Sequence, residues 1–310
     1  MIKPKPLKNG DTIGLIGPSS PTPFERIEPS IERIKELGFN VVVGESCYGV
    51  HGYLSGKDEV RAKDVNEMFR NKNIDGVWCI RGGYGTPRIL DMLDYDLIRQ
   101  NPKVFIGYSD ITALHISINQ ECELVTFHGP MVSTELYRGI DDFTRDYLIK
   151  NIMGHKSLGL ITNPKNIDIK TLVSGKCEGK IVGGNLSLVA STIGTPFEID
   201  TKGKILFLED VDEEPYRIDR MLTQLKLAGK LDDAEGFILG DWNNCVSEEP
   251  NKSLTLFEIF NELIVPIGKP TIYNFMAGHC DPMITLPFGV NSKLDADNKK
   301  LFIDESATNN

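Results

Sequence analysis

In the first half of the chain, short apolar runs alternate with stretches of helical periodicity, and that alternation constrains the fold more than any other feature. Thr12–Ile16 reads as a strand ending at Gly17-Pro18-Ser19-Ser20-Pro21. Residues 24–37 follow as a helix, with Ile27, Ile31, Ile34 and Leu37 on one face and Gly38 as its stop. Further strands are expected at 41–43, 74–80, 104–108 and 124–127, with helices at 58–70, 87–93 and about 141–153. Strands that alternate with helices in this way build a parallel sheet covered by helices on both faces. Its ligand-binding loops lie at the carboxyl ends of the strands.

The second half has a different texture. At 310 residues the chain is long for one core, and two domains are expected. Residues 1–153 form the expected N-terminal α/β domain. The polar, turn-rich stretch 154–178 reads as a linker, and 179–310 as a smaller, β-rich α/β domain. Within that domain, strands are expected at 204–208 and 236–239, with a helix at about 217–228.

Composition narrows the function classes. A formal charge of −10 disfavours general binding to nucleic acid or to an anionic membrane surface, so neither is expected as a partner. No apolar run approaches the roughly 18–20 residues that span a bilayer. The basic N-terminus lacks the apolar core and small-residue cleavage site of a secretory leader. Six cysteines are scattered with no C-x-x-C pair, which suggests neither a zinc site nor a disulfide framework and fits reduced thiols in the cytoplasm. No cofactor and no metal are expected.

Three strand ends carry residues suited to chemistry. Val104–Tyr108 runs into Ser109 at the start of a helix, a layout that can expose a hydroxyl beside backbone N–H donors or can simply cap the helix. The match to G-x-S-x-G is partial, because Ile111 stands where the last Gly would be. Arg81-Gly82-Gly83-Tyr84-Gly85 is a Gly-rich turn between strand and helix that can lay N–H groups against an anion, or serve only as a tight turn. It has neither the Lys-Ser/Thr of a P-loop nor G-x-G-x-x-G spacing. Lys204–Leu208 leads into Glu209 and Asp210, and Glu209 can orient a histidine or cap the next helix. Of the five histidines, His115 is expected as a packed or surface helix residue. His279, between Gly278 and Cys280-Asp281-Pro282, reads as displayed, and His128 at a strand end competes with it for the role of base.

Taken in order, Arg81-Gly82-Gly83-Tyr84-Gly85, Gly107-Tyr108-Ser109-Asp110, His128-Gly129-Pro130, Gly183-Gly184-Asn185-Leu186, Leu208-Glu209-Asp210 and Gly278-His279 resemble the motifs of the LD-carboxypeptidases. This serine peptidase family includes muropeptide carboxypeptidases and microcin-immunity proteins. The resemblance runs from about Gly14 to Leu294. It implies Ser109 as nucleophile, His279 as general base and acid, Glu209 as the orienting carboxylate, and an oxyanion hole from the N–H groups of Gly83 and Asp110. It further implies a homodimer, with the site where the two domains meet. The expected substrate is a small peptide, the murein tetrapeptide that loses its terminal D-Ala. The alternative is an aminoacyl-nucleotide toxin, and Ile193 stands where that branch tends to carry a stacking Trp. Arg81, Gly82, Tyr84 and Arg217 are the substrate-binding candidates, with Arg81 and Arg217 competing for the terminal carboxylate. A non-enzymatic binder using Gly82–Gly85 to hold a carboxylate or phosphate is the reading from another class.

Overall fold

A computed structural model describes residues 1–309, which divide into two compact units. The first comprises Met1–Lys156, Thr285–Gly289 and residues 306–309; the second comprises Ser157–Ile284 and Val290–Glu305.

The first unit alternates β1 (Thr12–Ile16), α1 (Phe24–Glu36), β2 (Asn40–Val43), α2 (Asp58–Arg70), β3 (Gly76–Cys79), α3 (Tyr95–Gln100), β4 (Val104–Gly107), α4 (Thr112–Cys122), β5 (Thr126–His128) and α5 (Asp142–Ile152). Strands β2-β1-β3-β4-β5 lie parallel in that order. β3 and β4 are buried at every position, which is why they read as continuous apolar runs rather than as alternating ones. The chain steps one way from β1 to β2 and the other way from β2 through β3 to β5. Right-handed crossovers then put α1 on one face and α2 to α4 on the other, as expected. The loops after β1 and β3 flank the point where the direction reverses, which is where such sheets bind ligands. The stretch expected as a helix at 87–93 is a tighter 3-10 segment, Thr86–Met92, entered through Gly85 at φ +139° and Pro87.

The second unit is built on β6 (Gly159–Ile161), β7 (Lys170–Val173), β8 (Lys176–Asn185), β9 (Lys204–Val211), β10 (Gly236–Asn243) and β11 (Thr271–Tyr273). The chain then gives β12 (Leu286–Phe288) to the first sheet and returns with β13 (Asn291–Asp295) and β14 (Lys300–Ile303). The eight-stranded order is β6-β14-β13-β8-β9-β10-β11-β7, parallel from β8 to β11 and antiparallel at both margins. Helices α6 (Leu186–Ser191), α7 (Pro215–Leu227), α8 (Lys230–Asp233) and α9 (Leu256–Leu263) connect these strands.

Two expected boundaries are corrected. The stretch 154–178 is not a linker: it supplies both margin strands, β6 and β7, and the first residues of β8. Nor does 179–310 belong to one domain. β12 pairs antiparallel with β5, Leu286 opposite His128, and covers an edge that the parallel strands leave open.

Candidate active site

The serine turn sits at the end of β4. Tyr108 is extended, Ser109 adopts φ +62°, and a 3-10 turn over Ser109–Ile111 leads into α4. A left-handed conformation at a non-glycine residue costs on the order of 1–2 kcal/mol and persists only where the surroundings impose it. Here two glycines make the room. A Cβ on Gly107 would lie 2.9 Å from Ile111 side-chain carbons, so Ile111 packs where the missing motif glycine would stand. A Cβ on Gly82 would lie 3.1 Å from Ser109 Cβ and 3.3 Å from its Oγ. The Gly-rich turn is therefore held directly against the serine.

Side chains from the first strand's loop fasten that turn. Ser20 Oγ accepts the Tyr84 N–H at 3.1 Å, and the Ser20 N–H donates to Gly82 O at 3.4 Å. Gly83 has φ +116°, and a Cβ there would overlap Ser20 Oγ. Asp110 is wholly buried; its Oδ2 accepts from Ser19 Oγ at 2.6 Å and from the Thr86 N–H at 2.9 Å, while its carbonyl accepts the Thr86 hydroxyl. Burial raises the Asp110 pKa, and those hydrogen bonds oppose the rise. The buried Arg61 adds a second brace, donating to the carbonyls of Pro18 and Gly85 and to Asp58. Among the described residues, neither the Gly83 nor the Asp110 N–H has a backbone acceptor. Two donors are thus left beside a constrained hydroxyl, the arrangement an oxyanion requires.

The second unit holds a carboxylate–imidazole pair. Glu209, near the end of β9, is fully buried, and its Oε2 lies 2.6 Å from His279 Nδ1 and accepts the His279 N–H at 3.2 Å. An ionised carboxylate can only accept, so the imidazole donates from Nδ1 and Nε2 is left as the proton acceptor. Two glycines make this close approach possible. A Cβ on Gly278 (φ +108°) would stand 2.6 Å from Glu209 Oε2, and one on Gly240 would stand 2.6 Å from Ala277 O. Asn243 Nδ2 donates to His279 O at 2.6 Å and fixes the loop from its other side.

The next residue, Asp210, has an anchoring role. Its carboxylate accepts from Asn185 Nδ2 (2.8 Å), the Ser187 N–H (3.0 Å), Ser187 Oγ (2.9 Å) and the Val211 N–H (2.9 Å). Asn185 stands opposite Glu209 in the parallel register. The Gly183-Gly184-Asn185 segment thus ties the end of β8 to the carboxylates at the end of β9. Burial and the neighbouring Glu209 raise the Asp210 pKa to about 6, against these bonds. Burial and Glu209 also raise that of Asp241, and the charge of His279 opposes the rise.

The candidate residues divide cleanly. Ser109, Gly82, Gly83, Tyr84, Asp110 and Arg81 lie in the first unit, on the loops that follow β3 and β4; Glu209 and His279 are brought together in the second. His128, the competing base, is wholly buried against Tyr108 and Phe288 with ring centroids 5.7 and 5.3 Å away, a packing position. His115 is also buried; its Nε2 donates to Gly107 O at 2.8 Å, and burial pushes its pKa down to about 4. Arg217 is exposed and already faces Glu213 at 3.5 Å and the Tyr216 hydroxyl. Sequence reasoning passed over Ser19, Ser20, Thr86 and Arg61, although Ser19 and Ser20 follow the first strand, where a ligand loop is due.

Comparison with known proteins gives the family. The N-terminal domain of the LD-carboxypeptidases matches residues 13–129, and their C-terminal domain matches residues 178–294. The chain belongs to the LD-carboxypeptidase family. It is accordingly a hydrolase of the carboxypeptidase class. A relative from Bacillus subtilis (strain 168), named a probable murein peptide carboxypeptidase, is 45% identical over 97% of this chain and 94% of its own. The microcin C7 self-immunity protein MccF of Escherichia coli is 31% identical over 97% and 95% of the two chains. Among solved structures, MccF in complex with glutamyl sulfamoyl guanosine superposes with a TM-score of 0.91 at 30% identity, covering both chains fully. Muramoyltetrapeptide carboxypeptidase from Oxalobacter formigenes gives 0.83 at 27% identity, over 96% of this chain and 100% of its own.

Proposed function

We propose that this family member releases the terminal D-Ala from murein tetrapeptides through an acyl-enzyme on Ser109. His279 Nε2 takes the hydroxyl proton as Oγ attacks the scissile carbonyl. The tetrahedral oxyanion rests on the Gly83 and Asp110 N–H groups, each contributing about 3–4 kcal/mol in comparable sites. His279 then protonates the departing amine of D-Ala as the C–N bond breaks, and water activated by the same nitrogen hydrolyses the ester. Glu209 keeps the proton on Nδ1 and stabilises the imidazolium.

The observation that carries this reading is the 2.6 Å contact between Glu209 Oε2 and His279 Nδ1, which keeps the ring proton on Nδ1 and gives Nε2 the role of base. The murein choice is supported by the 45% identical relative and by Ile193, an aliphatic residue where a base-stacking Trp would favour the nucleotide substrate. Six free cysteines support a reducing, cytoplasmic setting, and the reading includes a homodimer.

Incubation with the tetrapeptide, followed by mass spectrometry, should show D-Ala, with release by Ser109→Ala reduced at least about 10⁴-fold. Absence of D-Ala from the wild type, or undiminished release by the variant, would overturn the proposal. The similarity to MccF supports a second reading, hydrolysis of an aminoacyl-nucleotide amide. Faster turnover of an aminoacyl sulfamoyl nucleoside than of the tetrapeptide would favour it.

A further inference from the structure

The chain carries 44 acidic against 34 basic residues, and several guanidinium groups have a carboxylate within reach. Arg33, Arg61, Arg70, Arg88 and Arg217 each have one within 4.0 Å. Arg26 and Arg81 are among the arginines with no such pair in the described residues, and Arg81 is the one on the glycine-rich turn that packs against Ser109. Arg81 is partly buried. Its Nη1 donates to the Pro21 carbonyl at 2.9 Å, and its buried Nε has no partner. Arg26, in the first turn of α1, lies over the Tyr137 ring with Cζ 5.2 Å from the centroid. Burial, and then the charge of Arg26, lower the Arg81 pKa. Two neighbouring cations held by a carbonyl and a ring, in an otherwise acidic protein, leave a local positive field and unspent donors.

The position of this pair gives it a purpose. Arg81 directly precedes Gly82, whose Cα packs on Ser109, and stands two residues before Gly83 with its unspent N–H. In a peptide whose last bond is cut, the terminal carboxylate lies one residue beyond the scissile carbonyl, about 3.8 Å per residue along the chain. A group that recognises it must therefore sit about that far from the oxyanion donors. We propose that Arg81, supported by Arg26, is the seat of the substrate's terminal carboxylate and makes the enzyme specific for a free C-terminal end. Arg217 is set aside because it is exposed and already faces Glu213. The inference rests on the peptidase reading above and adds what restricts cleavage to the last residue.

The test compares the tetrapeptide acid with its C-terminal amide. The wild type should favour the acid by about 100-fold in kcat/KM, the range expected for a charge-assisted contact. In Arg81→Ala the acid-over-amide ratio should fall to within about 3-fold of one, and Arg26→Ala should lower it by a smaller factor. Arg81→Lys should restore part of the preference. Equal turnover of acid and amide by the wild type would overturn the inference, as would an Arg81→Ala protein that slows both alike. Calorimetry on Ser109→Ala separates this from the parent reading, because it needs no chemistry. The acid should bind at least about 10-fold tighter than the amide, and Ser109→Ala/Arg81→Ala should erase the difference. Equal binding, or no binding of the acid, overturns the carboxylate seat whatever the activity.

Discussion

The two units hold their functional groups by different physics. In the first, Ser109 is placed by backbone geometry: a positive φ, two glycines that leave room around it, and neutral hydroxyls that pin the neighbouring turn. In the second, His279 is placed by charge, against one buried carboxylate with Asp210 and Asp241 close behind. The proposed nucleophile needs a fixed direction, whereas the proposed base, which must become a cation, needs a compensating charge. The placement of Ser109 should therefore respond to changes of volume or hydrogen bonding around it, and that of His279 to changes of charge.

The sharpest way to break that contrast is Glu209→Gln, which keeps the shape and removes the charge. It should lower kcat about 10⁴-fold, roughly 5 kcal/mol, because the amide offers Nδ1 a donor and favours the wrong tautomer. A loss below about 10-fold would show that charge is not what organises His279.

A smaller effect separates the units by pH. His115 has its pKa depressed to about 4 in the folded chain, so stability present above the unfolded value near 6.5 is lost as pH falls through 4. That amounts to about 3 kcal/mol, felt in the first unit. Asp210 runs the other way. Its folded pKa is raised to about 6, so its contribution is full below the unfolded value near 3.8 and is lost as pH rises through 6, at most about 3 kcal/mol. Hydrogen exchange should show the β3–β4 amides losing protection first on acidification. In urea titrations, Asp210→Asn should gain on the wild type between pH 4 and pH 7.5. A pH-independent difference would remove the charge strain assigned to the second unit.

The smallest effect is expected from Ser20→Ala, which deletes the acceptor for the Tyr84 N–H. Activity should fall by no more than about 10-fold, with KM nearly unchanged, for a cost near 1 kcal/mol. A loss as large as that of Glu209→Gln would mean that the loop after β1 does more than brace the glycine turn.

Much of this was legible in the sequence because it is local. The core strands of the first sheet are apolar runs between breakers, and Ser109, Glu209 and His279 each stand at a strand end or beside a glycine. What was not legible depends on distant pairing. β6 and β7 are margin strands in a polar context, with no fully buried run to betray them. The short β12 is defined only by its partner β5, more than 150 residues earlier. The role of the Asp110 side chain depends on Ser19 and Thr86, 91 and 24 residues away, so no window on the sequence contains it.

The return of β12 to the first sheet also sets a timetable for synthesis. Residues 1–156 leave the ribosome long before Leu286, so β5 waits with an open edge while the whole of Ser157–Ile284 is made. An uncovered strand edge invites pairing with other nascent chains. A chain released before residue 286 would carry the serine turn without that cover, and truncated products should aggregate while the full-length protein does not.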